Sequence, residues 1–231
     1  MDFLGEGFRR AAHLIFSVDA EVYGIAFLTV KVAVVATAIA CALGMPLGFV
    51  LASRRFWGRR AALTVVNTAL AFPTVVVGLL LYGVLSRRGP LGGLGWLYTW
   101  QAIVVGDVLL ALPIAAALSA AAIQGVDPRI RRTAETLGAG SWRTAWTVAR
   151  EARFALAAVI TAAFGQVVAE IGAAMIVGGN IRGSTRTLTT AVALFTSQGD
   201  FGMALALGLV LLAMALLINI ALQLLQGRGN G

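Results

Sequence analysis

Three ionisable side chains stand inside long apolar runs of this 231-residue chain: Lys31, Asp107 and Glu170. A charge in that setting is costly, so it pairs with another charge or lines a polar path. Counted along helices, Lys31 lies seven residues in from Gly24, Asp107 seven in from Trp100, and Glu170 eight short of Gly178. At 1.5 Å per residue each sits about 10 to 12 Å deep. The equal depths predict a Lys31 network with Asp107 or Glu170, within one subunit or across a dimer.

A second polar group follows the glycine pair Gly178 and Gly179: Asn180, Arg182, Ser184, Thr185 and Arg186. Leu188, Ala191, Val192 and Phe195 then recur at helical spacing, which predicts a short amphipathic helix over 185–198, ended by Gly199, with Asp200 capping the next helix. Backbone N–H groups at a helix start, with hydroxyls and guanidinium groups, suit a dianion or an acidic protein surface. An ordinary capped re-entrant helix with solvated arginines fits the same residues.

Bond-making chemistry finds no support. A lone Cys41 and a lone His13 leave no disulfide framework and no multi-cysteine or multi-histidine metal site. The only lysine lies between Val30 and Val32, so there is no GxxxxGK[ST] phosphate loop. The expectation is no catalytic residue, no metal and no cofactor held by this chain.

The elements that position these groups are membrane helices. Hydrophobic residues make up 59% of the chain and charged ones 12%, too few charges to clothe a soluble protein. Mean hydropathy is +0.89. Five stretches are long and apolar enough to cross a bilayer, near 24–52, 61–85, 101–124, 154–178 and 201–226. Pro46, Pro73 and Pro113 each interrupt one of the first three, which membrane helices tolerate. Small residues at Gly44, Gly48, Gly165, Ala169 and Gly172 predict close helix approach. Asp2, Glu6, Asp19 and Glu21 argue against a cleavable signal, leaving a partly amphipathic lead-in around His13 to Val22.

The net charge of +8 reads as topology rather than nucleic-acid binding. Lys and Arg number eleven in the segments 53–60, 127–153 and the tail, against six in the alternate segments. The positive-inside rule therefore puts the N-terminus outside and the C-terminus in the cytoplasm. Trp57, Trp96, Trp100, Trp142 and Trp146 all fall at or between span ends, where indoles prefer to sit. The fold class expected is an all-α membrane protein, a single domain over 1–231.

The cytoplasmic segment Asp127 to Arg153 is too patterned for a connector. Asp127 caps a helix that opens with Pro128, and Ile130, Ala134 and Leu137 share a face. Gly138 and Gly140 end it, and Ser141 starts a second helix leading into the fourth span. Such a surface helix either presents a ridge to a partner or rests on lipid headgroups.

The run TAETLGAGSWRTAWTV resembles the cytoplasmic loop of ABC transporter permease subunits, whose pattern is E-A-A, three residues, G, nine residues, I-x-L-P. Gly138 matches the central glycine, Thr133 and Ala134 the small pair, and Val148 the later aliphatic. Arg132 stands where the family has Glu, and Arg150-Glu151 where it has Leu-Pro. The stretch from Phe164 to Asp200, with IVGGNIRGSTRTLTTA and SQGD, is similar to the permeases for molybdate and tungstate, and more so to the tungstate branch.

That resemblance implies an importer subunit working as a homodimer with two copies of a separate ATPase, which binds ATP and magnesium, and with an extracytoplasmic substrate-binding protein. It implies that the helix between spans three and four couples to the ATPase through Pro128, Ile130, Arg132, Ala134, Glu135, Leu137, Gly138 and Trp142. Asn180, Arg182, Ser184, Thr185 and Arg186 would meet the anion or its binding protein. A net charge of minus one from Lys31, Asp107 and Glu170 suits a structural network better than a path for an oxyanion. The rivals are a secondary anion transporter or channel working without an ATPase, and a membrane scaffold; no internal repeat supports the first.

Overall fold

The computed structural model describes residues 20–54 and 56–227, with scattered positions before residue 20 and side chains as far as Ala221. Half of the expected lead-in over 13–22 lies outside the described residues. The described chain is all-helical: α1 (Ala20–Ser53), α2 (Arg59–Ala69), α3 (Thr74–Leu85), α4 (Trp100–Gln124), α5 (Pro128–Thr136), α6 (Ser141–Glu151), α7 (Arg153–Val168), α8 (Gly172–Gly178), α9 (Leu188–Ser197) and α10 (Phe201–Gly227).

α1, α4 and α10 are each long and apolar enough to cross a membrane unbroken. α1 and α4 pack along their length because both present small residues: Ala33, Ala36, Ala40, Gly44 and Gly48 from one, Ala111, Ala115, Ala116 and Ser119 from the other. A Cβ on Gly44 would lie 2.7 Å from that of Ala115, and one on Gly48 would lie 2.8 Å from that of Ser119. Gly172 meets α3 just as closely, 2.9 Å from Val75 Cγ2. A Cβ on Gly165 would meet nothing within 4 Å among the described residues, so its smallness serves no close approach there. Val159, Ala163, Phe164 and Val167 of α7 complete the core between α1 and α4.

Two expected spans are broken. Residues 61–85 are not one kinked helix: α2 and α3 meet at 102° around residues 70–73. Pro73 has no N–H to continue the ladder, and its carbonyl instead accepts from Val76 and Val77 at the start of α3. α2 buries no residue, and α3, at about 18 Å, is too short to span alone. Pro46 and Pro113, by contrast, lie inside unbroken helices.

The fourth span also stops, at residues 169–171, and resumes as α8. Glu170 causes the restart by capping it: its Oε1 accepts from Ala173 N at 2.8 Å, one of the N–H groups a new helix start leaves without a partner. α6 enters this span from the other side at 69° to α7. Val22 and Ile25 of α1 then pack with Leu188 and Ala191 of α9 and Leu207 of α10, closing the end of the bundle nearer residue 20.

Candidate functional site

The loop between α4 and α7 is built on local signals. Asp127 Oδ1 accepts from Arg129 N at 2.8 Å, and Pro128 occupies the first helical position. At the other end Gly138 has φ +81°, and the Ala139 and Gly138 N–H groups donate back to the carbonyls of Ala134 and Glu135. That is the paired closure a left-handed residue after a helix allows. α5 buries nothing: Arg132 and Glu135 are exposed, and Leu137 is 81% exposed.

α6 forms the base beneath it. Val148 packs with Ile123 of α4, against Phe49, Ala52 and Leu156, and Arg131 reaches the Ser53 carbonyl at 3.4 Å. Between the two helices runs a groove lined by Ile130, Thr133, Ala134 and Leu137 with Arg129 and Arg143 at its edges. Trp142 and Trp146 stand exposed beside it. A rigid base, a protruding apolar stripe and cationic edges make a surface suited to a protein partner.

The turn between α8 and α9 is built the opposite way. Gly179, Asn180 and Gly183 all take positive φ, so the chain doubles back tightly. Thr185 is fully buried: its hydroxyl donates to the Gly178 carbonyl and accepts from Ile181 N at 3.0 Å. The N–H groups of Ser184, Thr185 and Arg186 converge on the Ile181 carbonyl, and Asn180 Nδ2 donates to the Thr190 carbonyl.

The two arginines are committed as well. Arg182 donates to both carboxylate oxygens of Glu21 on α1, at 2.9 and 2.6 Å, and Arg186 Nη1 donates to the same carboxylate at 3.2 Å. α9 starts at Leu188 and not at residue 185. Its cap is a reciprocal pair, Thr187 with Thr190, and Leu188 N donates to Thr29 Oγ1 at 2.9 Å. The helix start is therefore closed by α1 and offers no open N–H cradle to an anion. Ser184 alone of the polar side chains in this turn lies fully exposed beside Arg182.

The intramembrane acids and Lys31 part company. The Lys31 ammonium sits 3.8 Å from the centre of the Trp100 ring, a cation–π contact. Among the described residues no ion pair links it to Asp107 or Glu170 within the chain. Trp100 opens α4, two turns before Asp107, and the long lysine stem snorkels up to it. Asp107 and Glu170 remain together, 3% and 5% exposed, around a cavity also lined by Thr29, Thr187 and Thr189.

Sequence reasoning gave Glu21 and Trp100 other roles, a charge in the lead-in and a span-end indole, and passed over these threonines. The run Thr187-Leu188-Thr189-Thr190, polar residues in an otherwise apolar helix start, was the available signal for the last.

Comparison with known proteins places this architecture. Residues 44–229 match the family model described as binding-protein-dependent transport system inner membrane component. The chain is 41% identical to the tungstate uptake system permease protein TupB of Peptoclostridium acidaminophilum, over 98% of this chain and 99% of that one. It is 39% identical to the protein of the same name from Campylobacter jejuni, over 95% and 92%. A crystal structure of a bacterial ABC transporter involved in import of the acidic polysaccharide alginate shares the fold, with a TM-score of 0.71 over 95% of this chain and 84% of that one, at 16% identity.

Proposed function

The chain belongs to the family of binding-protein-dependent transport system inner membrane components, and on that premise we propose that it is the membrane-spanning subunit of an ATP-driven importer of tungstate or the similar oxyanion molybdate. It is a multi-pass protein of the inner membrane. The observation that carries the substrate class is the likeness along essentially the whole chain to tungstate uptake permeases.

The mechanism follows from the two polar ends. The exposed α5 ridge, with Pro128, Ile130, Ala134 and Leu137 on one side and Arg132 and Glu135 beside them, docks into a separate ATPase subunit. Closure of two ATPase copies on ATP and magnesium pushes α5, and α6 transmits the push because Val148 ties it to α1, α4 and α7. Gly138 and Trp142 stand at the joint between the two helices. Two copies of this chain, related by a two-fold axis, enclose the path that one copy alone does not. The N-terminus faces outside, so that a substrate-binding protein meets the 179–187 turn around Asn180, Arg182, Ser184 and Arg186.

Tungstate and molybdate are tetrahedral dianions of nearly equal size, so the binding protein makes the selection and the helices do not. Reconstituting the chain with its ATPase and binding protein in liposomes tests the reading. ATP-dependent tungstate accumulation, absent without the ATPase, is expected; full uptake with no nucleotide would overturn it in favour of a secondary transporter.

A further inference from the structure

Asp107 and Glu170 present a charge problem that the transport reading leaves unused. Both are almost fully buried, from α4 and from the break in the fourth span, and both line one cavity with room for a single water-sized particle. Among the described residues no basic side chain lines it, since Lys31 is held on Trp100 and Arg186 by Glu21. Two buried carboxylates without a counter-charge are strongly disfavoured in an apolar section.

The other oxygens around the cavity have already given up their hydrogens. Thr29 Oγ1 donates to the Ile25 carbonyl at 2.8 Å, and Thr189 Oγ1 donates to the Glu170 carbonyl at 2.8 Å. Thr187 Oγ1 shares hydrogen bonds with the hydroxyls of Thr189 and Thr190, each at 3.1 Å. Glu170 Oε1 is occupied by Ala173 N, whereas Asp107 Oδ1, buried and lining the cavity, has no hydrogen-bond partner. The lining is thus oxygen-rich and anionic, with an unmet acceptor. A neutral water would satisfy Asp107 Oδ1 and leave both charges unbalanced. Oxygen donors of this kind suit a hard cation.

We propose that Asp107 and Glu170, with hydroxyl oxygens of Thr187 and Thr189, form a site for one dehydrated alkali-metal cation that ties the break in the fourth span to α4 and to the start of α9. The cation takes the place that a basic side chain fills in an ordinary buried pair. It joins elements on both sides of the break, so its occupancy favours the arrangement in which α8 and α9 pack against α4. The site is independent of what the protein transports.

Thermal unfolding of the purified full-length chain in detergent tests this without any transport assay. The chain is compared in sodium chloride, potassium chloride and N-methyl-D-glucamine chloride at equal ionic strength. One of the alkali salts is expected to raise the midpoint over N-methyl-D-glucamine, by roughly 5 °C at a hundredfold excess over Kd. Asp107→Asn and Glu170→Gln should each abolish that difference, whatever they do to basal stability.

Equal midpoints in all three salts would overturn the proposal, as would an alkali effect retained in full by Asp107→Asn. A midpoint that follows pH and ignores the cation would also overturn it, in favour of a proton or water bridging the acids. Where the variants do not fold, sodium-23 and potassium-39 relaxation on the wild-type chain decides: broadening of either line, relieved by excess of the other alkali ion, supports the site, and free-ion linewidths for both exclude it.

Discussion

The loop between α4 and α7 and the turn between α8 and α9 are written in the same local vocabulary: a capping residue, arginines, a short amphipathic helix and a glycine stop. One becomes a protruding ridge and the other a sealed joint. α5 leaves Leu137 81% exposed, whereas Leu188, the first residue of α9, is 0% exposed. The difference lies in what meets each helix start. Asp127 caps α5 in water, with nothing above it, whereas the start of α9 is met by Thr29 of α1 and its arginines by Glu21. Caps decide where a helix begins; packing decides whether its end is open to a ligand.

The contrast breaks most visibly at Thr185. Replacing it with Val keeps the shape but leaves the buried Gly178 carbonyl and the part-buried Ile181 N–H without their partner, a cost of about 2 to 4 kcal/mol. The thermal midpoint of the purified chain should fall by roughly 5 to 10 °C. Leu137→Ala on the α5 ridge should leave the midpoint within about 1 °C, because an exposed side chain has little packing to lose. Equal falls for the two variants would mean that α5 is buried by its own chain and is no ridge.

How much of this was legible follows from the same contrast. The bounds of α5 could be read because Asp127, Pro128 and Gly138 act on neighbours within five residues. The start of α9 was misplaced because its cap pairs Thr187 with Thr190 in place of the more common acidic partner, so Arg186 just upstream was taken into the helix. The break at residues 169–171 was invisible because apolarity measures transfer to lipid and says nothing about backbone continuity. Glu170 was seen as a charge at a depth, although its carboxylate caps a helix. Within one chain, depth arithmetic also paired Lys31 with Asp107 or Glu170, since it ignored a stem long enough to reach Trp100. Pro73 looked like Pro46 and Pro113 in sequence, yet only Pro73 sits where the chain turns by 102°.

The next effects are smaller and local. Gly138→Val forces a β-branched residue into φ +81°, with no atom near enough to clash, so its cost of about 1 to 2 kcal/mol is backbone strain alone. Asp127→Ala removes a cap worth about 1 kcal/mol. Both should speed hydrogen exchange of α5 amides while leaving those of α9 unchanged, and both should lower ATP-driven uptake more than they lower the midpoint. Slower exchange in α5, or faster exchange in α9, would show that the two loops are not separate units.

The smallest effect sharpens the comparison within the turn between α8 and α9 itself. Arg182 and Arg186 share Glu21, but the Arg182 side chain is 74% exposed and that of Arg186 12%. Arg182 has the shorter contacts, at 2.9 and 2.6 Å, and by geometry alone it would matter more. Solvent screening reverses that order, because an exposed pair contributes under about 1 kcal/mol however good its distances. Arg186 also lies 5.7 Å from the Phe195 ring centre and reaches the Asn180 carbonyl, so its removal uncovers apolar surface. Arg182→Ala should therefore shift the midpoint by no more than about 2 °C, and by less in 0.5 M salt, where the Debye length is only a few ångströms. Arg186→Ala should cost more, with little dependence on salt. A larger loss at Arg182 would mean that bond length outweighs burial here, and that this turn is held from its surface.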